Sequence, residues 1–561
     1  MNPVRIRHDR DLTPGEICAV ADDDAAVEFD DETGRMLDER RRQVVEFVES
    51  SNVPAYGFNR GFGHNVRLAV DADRAAELQR NLIRSHASAV GEPAPLPVIR
   101  AAMLMRSRSL ARGHSGVRSE VPRKLVEFLN AGITPVVPRF GSVSASGDLA
   151  PLSHIALGLM GEGEVFVGDE RLNAAAALAR AGIEPLVLEM KEGLALNNGV
   201  QFSTAYGVLA AARLESLWRT ACVGTSLTLQ VMLGADTPWR EDLHALRPHA
   251  GSVRTAAVLR ALTANSPIRE AHRPYDIDGE IQDPYNLRCA AQILGAARTL
   301  IDRANETFAI EANSVTDNPI LLSGEDDAFT DIVSGGHFHG MPVAVDLYGL
   351  LQAAAMIASL VGARCARYVD EARNRGLGAD LKWPGPTDDP EWNARQAASS
   401  GMMAPEYVAA SLTNWLWGQC MPTHLFSIST DAGQEDHVSM AANVAIRAYD
   451  ALPRLAEALA VELAFAAQAA AIRKRTPWLP SRARTASGEV TLDRHEVPEA
   501  DRRLCEAGEA VLREIEPVFP VVTVDRPLSA DLSALAALVL DGAIERCAAR
   551  FGVFAAVDAP C

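Results

Sequence analysis

Apolar residues recur at helical spacing along most of the chain, and strict alternation is confined to short stretches. The spacing predicts a helix around 36–50, a loop-like stretch over 51–70, and helices near 71–90, 96–112 and 119–130. Glu164 to Leu172 alternates about Gly168-Asp169, the pattern of a small hairpin. From Asn197 onward the pattern lengthens. Helical stretches are predicted near 199–234, 286–312, 340–370, 403–419 and 438–474, several of them beyond the ~10–14 residues of an ordinary globular helix. Helices of that length belong to a bundle that buries them on most sides, partly against other subunits. Residues 383–390, Trp-Pro-Gly-Pro-Thr-Asp-Asp-Pro, read as an exposed loop, Thr476 to Asp493 as a turn-rich linker, and a smaller helical segment ends the chain. The expected fold is mainly α. A smaller mixed N-terminal domain over 1–196 precedes a long-helix central bundle over 197–480 and a C-terminal helical segment over 481–561.

Composition narrows the function classes. At 561 residues, 48% hydrophobic and 23% charged, the chain has the balance of a soluble globular protein with a large core. A net charge of −19 argues against nucleic acid or an anionic membrane as partner. The first residues, Met-Asn-Pro-Val-Arg, lack the apolar core of a secretory signal. The most apolar run, Leu455 to Ile472, is interrupted by Glu457, Glu462 and Gln468, so a buried helix is expected there and not a membrane span. Eight cysteines without a Cys-x-x-Cys pair read as reduced thiols, and a cytoplasmic location is expected. Gly161-Glu162-Gly163 lacks the third glycine of a phosphate-binding loop.

The candidate chemistry centres on Gly141-Ser142-Val143-Ser144-Ala145-Ser146-Gly147-Asp148-Leu149-Ala150-Pro151. A small-residue turn here feeds a helix, with Asp148 placed to cap it and Pro151 to fit its first turn. An ordinary capped loop is the bland reading. The sharper one follows from the order Ala145-Ser146-Gly147. The nitrogen of Gly147, unencumbered by a Cβ, can attack the carbonyl of Ala145 if the turn is tight enough. Ser146 can then lose its hydroxyl as water, leaving a five-membered ring with an exocyclic methylidene, an electrophile that no ordinary side chain supplies.

This loop resembles the 4-methylidene-imidazol-5-one (MIO) loop of the aromatic amino acid ammonia-lyases and 2,3-aminomutases, and further motifs follow in that family's order. Tyr56 lies in Tyr56-Gly57-Phe58-Asn59-Arg60-Gly61-Phe62-Gly63, similar to the family's glycine-rich lid, and the resemblance implies that it removes the substrate β-proton. Asn198, in Leu-Ala-Leu-Asn197-Asn198-Gly199, matches the asparagine beside the MIO ring; a helix N-cap is its ordinary alternative. In Gln282-Asp283-Pro284-Tyr285-Asn286-Leu287-Arg288, the resemblance implies that Arg288 clamps the substrate carboxylate and Tyr285 contacts the MIO group. Phe338, in Ser-Gly-Gly-His337-Phe338-His339-Gly, matches the phenylalanine over the ring. His337 and His339 have no third ligand in sequence, and no metal is expected.

Two motifs resemble the histidine enzymes of the family in particular. Gln434-Glu435-Asp436-His437 carries the glutamate that accompanies an imidazole substrate, and Ser85-His86 resembles their Ser-His pair. Arg60 stands where the lid usually has threonine, Asn197 replaces an apolar residue of the Leu-Ala-Leu-Asn-Asn-Gly motif, and both join His86, Phe338 and Glu435 as expected substrate-binding residues. Ser144, Val200 and His337 are further departures from the histidine-enzyme pattern. The resemblance implies a homotetramer with active sites shared between subunits, an amino acid substrate, an MIO group made by the chain itself, and no external cofactor. The expected activity is ammonia elimination, with L-histidine giving urocanate. The alternatives are a 2,3-aminomutase, a lyase for another polar or aromatic amino acid, and a helical scaffold without chemistry.

Overall fold

The computed structural model describes residues 3–51, 55–60, 67, 74–275, 282–324, 329–385, 389–484 and 490–558. The later part of the predicted lid, Gly61 to Asn65, and Pro386-Thr387-Asp388 of the expected exposed loop lie outside the described residues.

The protein is mainly helical, as expected, and the long helices fall close to their predicted positions. They are Gln201–Val231, Ala290–Asn313, Met341–Val369, Met403–Gly418 and Ala441–Arg475. In Gln201–Val231 the only charged residues are Arg213, Glu215 and Arg219. A helix so apolar around its circumference is stable only when enclosed. Met341–Val369 and Ala441–Arg475 are long and apolar enough to cross a membrane, but 72% and 83% of their apolar windows are buried within the protein, so they are core helices.

The chain divides into two compact units, each discontinuous in sequence. The first comprises residues 1–212, 303–348 and 422–449, the second 213–302, 349–421 and 450–561. In the first unit, the helix Pro14–Asp22 begins with a reciprocal cap between Thr13 and Glu16 and a proline in its first turn. The helix Leu96–Ala111 is buried along nearly its whole length, and Arg100, Arg106 and Arg108 are buried with it, bonded to Asp24, Gln201 and Asp11 respectively. The predicted hairpin is present as Glu164–Val167 and Glu170–Asn173, and Ile133–Pro135 extends it to three strands. Other short pairings, such as parallel Val4–Ile6 with Val27–Phe29, were too brief to show a period in sequence.

In the second unit, the expected linker over Thr476–Asp493 is corrected. Trp478–Arg484 and Val490–Glu496 pair antiparallel, with Trp478 opposite Glu496 and Arg484 opposite Val490. Pro480, which sequence reasoning counts against a strand, and the arginines of this segment hide the alternation. The Arg494 guanidinium lies 3.9 Å over the Trp478 ring, so a side chain that reads as a solvated charge helps hold the hairpin. Residue 480, where the sequence divides bundle from C-terminal segment, lies inside the first of these strands. The seven described cysteines are all free thiols.

Candidate active site

The loop of residues 141–148, in the first unit, joins the strand Pro138–Phe140 to the helix Leu149–Leu159. Asp148 occupies the N-cap position, but its side chain makes no capping bond. That expectation is corrected: the carboxylate turns inward instead. Its Oδ1 accepts from Ser142 Oγ at 2.8 Å, Ser144 Oγ at 2.7 Å and Ser203 Oγ at 2.9 Å, and its Oδ2 accepts from the Ser203 N–H at 2.8 Å. Asp148 is wholly buried. Burial holds its carboxyl above the usual range, and these four donors offset that shift only in part. Serines at 142, 144 and 203 therefore do what no apolar residue could: they satisfy a buried carboxylate that anchors both ends of the loop. The alternation of serines before Asp148 is the sequence signal for this anchor.

Ser144 adopts φ +50°, a left-handed conformation that costs a non-glycine residue free energy and is held by surrounding bonds. Its carbonyl accepts from Ser439 Oγ at 2.9 Å and from the Gly340 N–H at 3.3 Å. Its hydroxyl also accepts from the Ala442 N–H at 3.2 Å. A Cβ on Gly340 would sit 2.9 Å from Ser439 Oγ and 3.1 Å from Ser144 Cβ. Three distant segments of sequence thus close on one loop, including the one that carries Phe338.

Gly147, at φ +75°, lies directly against Gly199: a Cβ on Gly147 would overlap the Gly199 backbone, and a Cβ on Gly199 would run the other way into Arg106, Gln201 and Thr316. The Asp148 N–H donates to the Gly199 carbonyl at 2.6 Å. Asn198 Nδ2 donates to the Ser146 carbonyl at 2.7 Å. Asn198 follows the helix Glu192–Asn197 as its C-cap residue, so the N-cap alternative does not describe it. The Ser146 hydroxyl donates to Glu435 Oε1 at 2.5 Å, and Thr430 Oγ1 donates to Glu435 Oε2 at 2.6 Å. Thr430 and Glu435 also pair through their backbones, which fixes the turn that presents the carboxylate. Asn198, Ser146 and Glu435, far apart in sequence, meet here.

Behind Gly199 lies a buried polar cluster that the sequence did not reveal. Arg106 Nη1 donates to Gln201 Oε1 at 2.9 Å, and Gln201 Nε2 donates to Thr316 Oγ1 at 2.8 Å. A second Arg106 nitrogen, Nη2, donates to the Ala195 carbonyl. Lys191 and Asp317, both fully enclosed, pair at 2.7 Å. Burial pushes the Arg106 guanidinium down to about 10, against the opposing charge of Asp317. An arginine inside the apolar helix Leu96–Ala111 was the available signal.

The remaining predicted residues are placed as follows. Tyr56 is half-buried and pairs by backbone with Arg60. The stretch is fixed by Phe58, which enters a core with Val44, Val48, Ala55 and Leu321, and by Gln79, whose Nε2 donates to the Gly57 carbonyl at 3.0 Å. Arg60 Nη1 donates to the Arg67 carbonyl at 3.4 Å, within the same stretch. His86 ends the helix Ala75–His86, with Nδ1 3.0 Å from both Ser85 Oγ and the Leu82 carbonyl. Phe338 is half-buried. His339 Nε2 lies 3.1 Å from the His437 carbonyl, and no group of three metal-ligating side chains occurs among the described residues. Asn197, expected to bind substrate, is wholly buried, and its amide donates to Ser153 Oγ at 3.1 Å, bracing the helix Leu149–Leu159. Tyr285 and Arg288 belong to the second unit, on the single turn Tyr285–Arg288, where the Arg288 guanidinium lies 4.7 Å over the Tyr285 ring.

The sequence matches the aromatic amino acid lyase family over residues 12–491. It is 41% identical over 458 residues to a histidine ammonia-lyase of Symbiobacterium thermophilum, covering 82% of this chain and 86% of that one. It is 37% identical over 538 residues to a histidine ammonia-lyase of Myxococcus xanthus, covering 96% of this chain and 100% of that one. The fold superposes on a tyrosine aminomutase from Streptomyces globisporus with a TM-score of 0.85 at 30% identity, over 98% of each chain. These matches define a carbon–nitrogen lyase. The chain belongs to the aromatic amino acid lyase family.

Proposed function

We propose that this lyase eliminates ammonia from L-histidine to give urocanate, using an MIO group formed from Ala145, Ser146 and Gly147. The observation that carries the proposal is the meeting of Glu435 with Ser146, the residue whose side chain would become the methylidene. It supports the reading that the carboxylate of the histidine-like motif serves the reacting centre. The two relatives described as histidine ammonia-lyases support the same substrate.

The residues present fit the MIO group. Gly147 has the left-handed backbone and lacks the Cβ that would keep the turn from tightening, and Asn198 holds the oxygen that would become the ring carbonyl. The closed ring would supply an electrophilic methylidene carbon for the substrate amine. The chain's own groups do the rest. Tyr56, on the lid, would take the β-proton, a weak acid whose removal requires water to be excluded and the substrate held. Arg288 would grip the α-carboxylate through paired hydrogen bonds, and Tyr285 would contact the MIO group. Glu435 would accept from the imidazole, His86 would line the ring end, and Phe338 would pack over the MIO ring. Glu435 is half-buried, and its carboxylate, facing the substrate ring, would disfavour a phenyl group, which offers it no donor.

The active assembly is proposed to be a homotetramer in the cytoplasm. Within the second unit, the helix Met403–Gly418 exposes Tyr407, Val408, Trp415 and Trp417, an aromatic face of the kind that a protein partner covers. A 2,3-aminomutase is the second reading, favoured by the likeness to a tyrosine aminomutase. A substrate panel tests both, with ammonia release and β-amino acid formation read in parallel. Histidine turned over fastest, with urocanate as sole organic product, supports the proposal; a β-amino acid as main product overturns it in favour of the mutase.

A further inference from the structure

We infer that Arg364, held by Glu462, is a positioning residue for Arg288. The inference rests on the proposed role of Arg288 as the carboxylate clamp. Arg288 sits on a helix of only four residues, Tyr285–Arg288. One turn cannot hold its own direction, because the bonds that fix it are too few to offset the ordering of its backbone. Cys289 joins the turn's C-terminal end to the helix Ala290–Asn313, donating to the Tyr285 carbonyl at 2.9 Å and accepting from the Gln292 and Ile293 N–H groups at 3.1 Å, and the rest of the turn is aimed from outside.

The second unit supplies that grip at two points. Upstream, Asp283 is buried, and its Oδ1 accepts from Arg375 Nη2 at 2.7 Å while its Oδ2 accepts from the Ala235 N–H at 2.5 Å. Within the turn, Asn286 is clasped reciprocally by the helix Met341–Val369. Asn286 Nδ2 donates to the Ala363 carbonyl at 3.2 Å, and the Asn286 carbonyl accepts from Arg364 Nη1 at 3.3 Å. Leu287, fully buried, pins the inner side of the turn, which leaves Tyr285 and Arg288 as its outward members.

Arg364 can reach Asn286 only because its other nitrogens are occupied. Its Nε and Nη2 donate to Glu462 Oε1 and Oε2 at 2.5 and 2.9 Å, and both side chains are fully enclosed. Glu462 Oε1 accepts in addition from Thr228 Oγ1 at 2.9 Å, and Thr228 Oγ1 accepts from Tyr368 OH at 3.1 Å. A buried ion pair of this kind is a poor source of stability, since well-packed neutral residues of similar volume usually serve as well. It is a good source of direction: the two-point fork fixes the guanidinium plane, and the remaining Nη1 then points one way, at the Asn286 carbonyl.

The test uses the full-length protein and two ligands of the same ring, urocanate and 4-vinylimidazole, which lacks the carboxylate. Three variants are compared with wild type: R364K, the double variant R364M/E462Q, and R288A as reference. R364K keeps a positive charge for Glu462 but has no planar fork and no third nitrogen for Asn286. It is expected to fold with an unchanged melting temperature, to bind urocanate at least about tenfold more weakly, and to bind 4-vinylimidazole as wild type does. The double variant is expected to show the same selective loss, and R288A a larger one. A merely structural role would move both ligands together or neither. If R364K binds urocanate like wild type while R288A does not, the inference is overturned and the reading of Arg288 stands. If R288A leaves urocanate binding unchanged, the reading of Arg288 fails and the inference falls with it.

Discussion

Ser146 donates its hydroxyl hydrogen bond to Glu435, 289 positions further along the chain, and Thr430 holds the other oxygen of the same carboxylate. The hydroxyl proposed to leave when the electrophile forms is therefore already held by a carboxylate. Ser146→Ala keeps the Cβ but removes the hydroxyl that must leave as water for the methylidene to form, and with it one donor to Glu435, while the serines that satisfy Asp148 are untouched. Turnover is expected to disappear with the circular dichroism spectrum and melting temperature retained. Intact mass would show wild type lighter by two waters, located within residues 141–154, and the variant without that deficit. A folded Ser146→Ala protein with near-wild-type turnover would sink the MIO assignment.

Glu435→Gln keeps an acceptor for Thr430 but turns the other end of the group from acceptor to donor. An imidazole N–H then loses its partner, whereas a phenyl ring had none to lose. The expected result is a fall in kcat/KM for histidine of roughly 10²-fold or more, equivalent to about 3 kcal/mol, with a much smaller change for any residual phenylalanine activity. Equal losses for the two substrates would show that the carboxylate serves the amine or the reacting carbon and not the ring.

Gly199→Ala tests the wall behind the loop. The new methyl would lie 2.7 Å from Thr316 Oγ1 and closer still to Arg106 and Gln201, all of them buried and mutually bonded. The segment must move toward Gly147 or the polar cluster must break, and either displaces the turn that has to close. Overpacking of this kind costs about 1–3 kcal/mol. The melting temperature should fall, and the mass deficit of two waters should be lost or incomplete. A Gly199→Ala protein with a complete deficit would show that ring closure tolerates a displaced wall.

The sequence exposed this architecture unevenly, for physical reasons. The helices Leu96–Ala111 and Met403–Gly418 were predicted within a residue or two because apolar periodicity over several turns is a strong signal. Ala145-Ser146-Gly147 and Asn198 were legible because a motif compresses local geometry into adjacent letters. What escaped notice depends on side chains meeting across long separations. Asp148 looked like a cap, since nothing local says that Ser203 will reach it first. The bond from the Asn197 amide to Ser153, 44 positions away, has no local signature either. Arg364 and Glu462 are 98 residues apart, and their pairing leaves no periodic trace.

His272 gives the second unit a pH dependence. Burial, reinforced by the guanidinium charges of Arg269, Arg375 and Arg473, pushes its imidazole down to about 3. The unfolded chain binds a proton at this residue below about 6.5, while the folded chain does not until much lower pH. Stability is thus fully present above 6.5 and declines as pH falls toward 3, by up to ~1.4 kcal/mol per unit from this residue. Urea midpoints measured at pH 7, 6, 5 and 4 should fall in that order, and His272→Gln should flatten the fall. Parallel curves for the two proteins would assign the acid sensitivity elsewhere.

Arg60 decides how firmly histidine can be the substrate. It lies four residues from Tyr56 on the stretch that leads into the lid, where threonine is usual in the family motif. Its guanidinium is half-buried: Nη1 donates to the Arg67 carbonyl at 3.4 Å, and Nε is buried without a hydrogen-bond partner among the described residues. The Arg67 bond ties the side chain to its own segment, which is the arrangement of a residue that shapes the loop. A guanidinium turned toward the substrate instead would repel an imidazolium and attract a second carboxylate. Arg60→Thr separates the two. If Arg60 shapes the loop, wild type turns histidine over well, and the variant loses no more than about tenfold in kcat/KM, or roughly 1.4 kcal/mol, with no change in the order of substrates. If Arg60 faces the substrate, wild type is poor with histidine, and the variant gains histidine turnover while losing activity toward an amino acid with an acidic side chain. The first outcome is expected, because Glu435 and the Ser85-His86 pair already favour an imidazole. The second would make Arg60 the specificity switch and remove histidine as the natural substrate.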